Sequence, residues 1–161
     1  MHYCLPSRLL LTGGEGLHLG DTGVELVARS LMGTFRVVEV DLSRNEIGPA
    51  GATAFSTSLK HNDTLECLGL SRNRIGDEGC GAVVASLHTN RSLQLLDVSF
   101  NNITAVSLSA LTDALEVANQ LTKVELNGND FDPALAQEVI EQGNDNSQAM
   151  ESYYCANHGA E

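Results

Sequence analysis

The chain has 161 residues, a formal net charge of −12, 42% hydrophobic residues and only 4% aromatics, with no Trp. Such a length suits one domain or one short repeat array that stands without disulfides. The apolar content excludes a disordered chain, the lack of a run of about 18 apolar residues excludes a membrane-spanning helix, and the acidic balance argues against nucleic-acid binding.

The charge is uneven. Residues 1–91 hold eight Lys/Arg and ten Asp/Glu, whereas residues 92–161 hold one Lys, Lys123, and eleven Asp/Glu. That asymmetry favours a basic partner for the second part. The N-terminus MHYCLPSRLLL lacks the basic and apolar regions of a signal peptide, so a cytoplasmic location with reduced thiols is expected.

From the N-terminus, LLLTGGEGL (residues 9–17) reads as a short strand and turn, followed by a helix within Leu17–Phe35. The Gly-rich turn lacks the Lys-Ser/Thr of a phosphate loop and the third Gly of a dinucleotide fingerprint. VVEVDLSRNEIG then opens at Val37, LECLGLSRNRIG at Leu65, LQLLDVSFNNIT at Leu93 and LTKVELNGNDFD at Leu121, a constant period of 28 residues. Each begins with a short alternating strand, with Val40/Leu42, Leu68/Leu70, Leu96/Val98 and Val124/Leu126 directed inward. Each reaches an asparagine, Asn45, Asn73, Asn101 or Asn129, whose amide can both donate and accept where the backbone bends away from the sheet.

The second half of each unit reads as helix: AGATAFSTSLKHN, EGCGAVVASLHTN, SLSALTDALEVAN and PALAQEVIEQG. Apolar spacing is helical at Ala54/Leu59, Val83/Leu87, Leu108/Leu111/Leu115 and Leu135/Val139. Small residues such as Ala50, Gly51, Ala52, Gly79, Gly81 and Ala82 suit close helix packing. Residues 143–161 are polar and have lost the repeat; Tyr153, Tyr154 and Cys155 there dock on the last repeat, form a short tethered ligand or belong to a disordered tail.

The pattern L-x-x-L-x-L-x-x-N-x-L, repeated four times, resembles the leucine-rich repeat family, and the 28-residue period with a helical half is similar to its ribonuclease-inhibitor-like class. The resemblance implies an α/β solenoid, a short horseshoe with a parallel concave sheet and outer helices. It also implies that Asn45, Asn73, Asn101 and Asn129 form a buried ladder. The expected organisation is a degenerate capping repeat over 1–36, with Leu17 where the asparagine belongs, then repeats at 37–64, 65–92, 93–120 and 121–142, and a tail at 143–161. Met1–Arg8 falls where the helix end of a preceding repeat would lie, so the chain is expected to be either the C-terminal part of a longer array or the product of a truncated gene model.

Chemistry is sparse. Cys4, Cys67, Cys80 and Cys155 show neither CxxC nor clustered His spacing, so no metal, cofactor or catalytic residue is expected. Three glycosylation-like triplets, at Asn62, Asn90 and Asn102, read as chance. The candidate site is the concave strand face. One column there is Asp41, Gly69, Asp97 and Glu125; its neighbour is Glu39, Cys67, Leu95 and Lys123. Beyond the strands lie Arg44, Arg72, Phe100 and Gly128, then Glu46, Arg74, Asn102 and Asp130. Arg44, Arg72 and Arg74 are expected near Glu46 and Glu66, making a mixed edge. Phe100 is either an exposed anchor or a filler of the strand–loop corner.

The expected partner is another protein with a basic patch, not nucleic acid or membrane, and end-to-end stacking through open terminal repeats is compatible with the pattern. The expected function is a non-catalytic interaction module or scaffold. One alternative is a regulator of a small GTPase similar to the Ran GTPase-activating proteins, although that family implies more repeats than this chain has. A structural role in a cytoskeletal or ciliary assembly, with a tropomodulin-like actin contact, is the other alternative.

Overall fold

The computed structural model describes residues 7–13, 18–32, 37–118, 120–132, 134–135 and 137–138. Strands and helices alternate: β1 (Ser7–Leu10), α1 (Gly20–Leu31), β2 (Val37–Asp41), α2 (Pro49–Leu59), β3 (Cys67–Gly69), α3 (Gly76–Leu87), β4 (Leu95–Asp97), α4 (Val106–Val117) and β5 (Lys123–Glu125). The strands form one parallel sheet in chain order. Each crossover is one helix, so the units stack as an α/β leucine-rich-repeat solenoid.

The core lies between sheet and helices. Val40, Leu42, Leu68, Leu70, Leu96 and Val98 are fully buried from the strand side, and Phe55, Leu59, Val83 and Leu87 from the helix side. In α2 the large buried apolar residues are Phe55 and Leu59, so Phe55 rather than Ala54 fills the interior. Leu135, expected on an apolar face, is exposed. Close helix packing uses Gly79, where an added Cβ would come within 2.9 Å of the Ala52 Cβ. Gly81 faces open space and Ala50 is exposed, so neither serves that purpose.

Asparagines bind the repeats together. Asn73 Oδ1 accepts the N–H groups of Asn45 (2.8 Å) and Ile47 (3.1 Å), and its Nδ2 donates to Leu42, Leu70 and Ser71 carbonyls. Asn129 Oδ1 does the same for Asn101 and Ile103 N–H. Asn45 donates to Leu11 and Ser43 carbonyls, and Asn101 to those of Leu70 and Ser99. An amide supplies two N–H donors and a carbonyl acceptor from one neutral side chain, which suits such a bend.

A second row, unforeseen in the sequence, lies where helices return to strands. Asn62 Oδ1 accepts Thr64 and Leu65 N–H, and Asn90 Oδ1 accepts Ser92 and Leu93 N–H. Asn90 Nδ2 reaches back to the carbonyls of Leu59 and Asn62. Both asparagines are buried. Their Asn-x-Ser/Thr triplets are therefore turns encoded by the repeat, not chance.

The first unit departs from the constant period. Leu9 pairs with Val40, 31 residues on, whereas Gly20 N–H donates to Asn45 O as Gly76 does to Asn101 O, 25 residues apart in each case. Strand and helix of the first unit are thus separated by three extra residues. That corrects the alignment that set Leu17 in the asparagine place: the β1 register puts that place three residues earlier. Ser7 and Arg8 belong to a strand rather than to a preceding helix end. Leu17, the tail 143–161 and most of the helix expected over 133–143 lie outside the described residues.

Candidate functional site

The strand register assembles two rows on the face of the sheet away from the helices. One runs Arg8, Glu39, Cys67, Leu95, Lys123; the other runs Leu10, Asp41, Gly69, Asp97, Glu125. Alternation places them outward because Val40, Leu68 and Leu96 between them point into the core. Neighbouring strands lie about 4.8 Å apart, so side chains within a row touch or interact.

The rows are not uniformly acidic. Arg8 forms an ion pair with Glu39 at 2.6 Å, and Lys123 pairs with Glu125 at 2.7 Å. Each end of the face therefore carries its own balanced pair. Between them Asp41 Oδ1 accepts the Ser43 N–H at 2.9 Å, and Asp97 Oδ1 accepts the Ser99 N–H at 3.0 Å and the Ser99 hydroxyl. These bonds fix both carboxylates at the strand ends. A depression of about 320 Å³ opens here, lined by Glu39, Asp41, Cys67, Gly69, Leu95 and Asp97 among others.

Beyond the strands, Arg44, Arg72, Phe100 and Gly128 all adopt the left-handed conformation, with φ of 60°, 54°, 55° and 67°. Three of these are not glycine, so the backbone is held there against its preference. The holding bonds run from Arg44, Arg72 and Phe100 N–H to the carbonyls of Ser71, Ser99 and Asn127. The turn throws these side chains onto a rim. Phe100 is 43% exposed. The Arg72 guanidinium lies 4.3 Å from its ring centroid, and the ring rests on Gly128, where any Cβ would collide with it. Phe100 is thus a partly exposed ring clamped between Arg72 and Gly128.

On the next row Glu46 lies 3.6 Å from Arg74 and 3.9 Å from His18. Glu66 does not join this group. It sits before β3, at the opposite strand end, in a second depression of about 410 Å³ with Asp63, Arg91, Gln94 and Gln120. The expected pairing of Glu66 with the arginines is corrected on that ground: Glu66 precedes its strand and the arginines follow theirs. Asn102 is exposed at φ 57°.

The two described thiols, Cys67 and Cys80, are poorly suited to chemistry. Partial burial, followed by Glu39 and Glu66, pushes the Cys67 thiol up. Burial pushes Cys80 up to about 11. Both are protonated near neutrality and so are weak nucleophiles. Among the described residues no three His, Cys, Asp or Glu side chains gather as metal ligands, and no helix is long and apolar enough to cross a membrane.

A family profile described as Leucine Rich repeat matches residues 37–56, 61–84 and 89–111. No curated protein matches the sequence. Among solved structures, the chain is similar to the leiomodin-1 actin-binding site 2, with a TM-score of 0.71 and 18% identity over 86% of this chain and 82% of that one. At that identity the similarity establishes the fold.

Proposed function

The chain is a leucine-rich-repeat protein, and we propose that it is a non-catalytic docking module that engages another protein on the outer face of its sheet. One observation carries this reading. The solenoid satisfies its backbone through the asparagine rows and its core through the helices, yet leaves a sheet face with fixed carboxylates, aliphatic Leu10 and Leu95, and the clamped Phe100 ring. Rigid mixed surfaces of this kind suit protein partners. The 28-residue period favours the ribonuclease-inhibitor-like class, and the free thiols of Cys67 and Cys80 agree with a cytoplasmic setting.

The partner in this reading carries a basic patch. Affinity capture from cell extract with wild-type bait and with an Asp41→Asn/Asp97→Asn/Glu125→Gln bait tests it. A partner held by wild type and lost by the variant supports the reading; one held equally by both moves the interface off the strand face. A second reading is a structural contact within a cytoskeletal assembly. It draws on the similarity to an actin-binding site over most of the chain. Co-sedimentation with actin filaments separates the two: pelleting with filaments favours the second, and a supernatant protein rejects it.

A further inference from the structure

We infer that the depression at Gly69 is a seat for one arginine side chain of an extended partner segment. This rests on the reading of the sheet face as a docking surface and adds which feature of the partner that surface selects. The missing side chain at Gly69 breaks the carboxylate row between Asp41 and Asp97. A Cβ there would lie 2.9 Å from Asp41 Oδ1, so the glycine is what leaves room for that carboxylate to lean over β3. The floor is apolar, made of half-buried Cys67 and Leu95.

Charge complementarity selects the occupant. Glu39 is balanced by Arg8 and Glu125 by Lys123. Asp41 and Asp97 form no ion pair among the described residues, and within those residues each accepts hydrogen bonds through Oδ1. The Oδ2 atom of each is left to accept from a partner, and both residues line the depression. Arginine combines a stem that covers apolar floor with a planar, multi-donor head that can bridge two carboxylates. The volume of about 320 Å³ lies at the low end for small-molecule pockets, which span roughly 300–1,000 Å³, and suits one side chain.

The probe is the peptide acetyl-Gly-Ala-Arg-Ala-Gly-amide, with citrulline replacing arginine as the uncharged isostere, titrated into full-length protein and followed by amide NMR. The arginine peptide should shift Cys67, Gly69 and Leu95 saturably, and the citrulline peptide should bind at least about tenfold more weakly. Asp41→Asn/Asp97→Asn, which removes charge and keeps the gap, should weaken binding about tenfold. Gly69→Val, which keeps both charges but fills the gap and pushes the Asp41 carboxylate aside, should do the same, with Gly69→Ser as a smaller filler should valine disturb the spectrum.

Equal binding of the two peptides, shifts scattered over all acidic residues, or unchanged binding to Gly69→Val and Gly69→Ser would each overturn the seat. If a captured partner is lost by the charge variant yet retained by Gly69→Val, the docking reading stands and the seat falls. If the charge variant also retains it, both fall.

Discussion

Replacing Asn73 by alanine removes an amide that serves two repeats at once. Two buried N–H groups, of Asn45 and Ile47, lose their acceptor, and the Leu42 carbonyl loses its donor. The Leu70 carbonyl keeps the Asn101 amide, and the Ser71 carbonyl keeps the Arg44 N–H. Three orphaned buried groups at about 1–3 kcal/mol each, eased by local relaxation, give a loss of about 4 kcal/mol. With a urea slope of roughly 2 kcal/mol per M, the midpoint falls by about 2 M. Asn101→Ala is the internal control. It orphans only the Ile75 N–H, a long 3.4 Å bond, because the Leu70 and Ser99 carbonyls retain Asn73 and Arg72 as donors. Its expected loss is about 1–2 kcal/mol. Urea unfolding followed by circular dichroism and by a second probe measures both. Equal losses, or a larger loss for Asn101→Ala, would refute the accounting by orphaned groups.

Asp77 accepts hydrogen bonds from Thr104 N–H and from the Thr104 and Ser107 hydroxyls, tying α3 to the start of α4. Burial pushes its carboxyl up, but these bonds together outweigh burial and hold it below the ordinary 3.8. The stabilisation is therefore full above about pH 4 and lost as the pH falls through the lowered value. Asp77→Ala should cost about 1–3 kcal/mol at pH 7, and the gap to wild type should shrink in unfolding measured near pH 2. Peptide-resolved alkylation at pH 8 should modify Cys67 slowly and leave Cys80 untouched until unfolding, since the latter is buried with its thiol near 11. Gly128→Ala strains a φ of 67° and drives a methyl into Phe100. It should cost about 2–3 kcal/mol, and Phe100→Ala in the same chain should recover part of that cost in a thermal-unfolding cycle.

The strands and the first asparagine row were legible because both recur at a fixed period: Val40, Leu68 and Leu96 point inward for the same reason in each unit. The second row escaped because Asn62 and Asn90 have no third member in register, position 118 being alanine. The β1 register escaped because three extra residues before α1 leave the helix in frame while shifting the strand. On the strand face, the columns follow from the repeat, but the charge balance does not. Arg8 stands outside the four aligned segments, and only β1 pairing brings it to Glu39. Clamping of Phe100 depends on Arg72 one repeat before and Gly128 one repeat after, a relation between repeats that no single motif displays.

Docking on the strand face is tested most directly by site-specific photo-crosslinking. A photoreactive amino acid at Leu95 samples the outer face of the sheet, and one at Glu78 samples the exposed side of α3. Irradiation in cell extract should give a discrete protein adduct from Leu95 and none from Glu78. An adduct formed only from Glu78 would place the interface on the helices and contradict docking on the sheet.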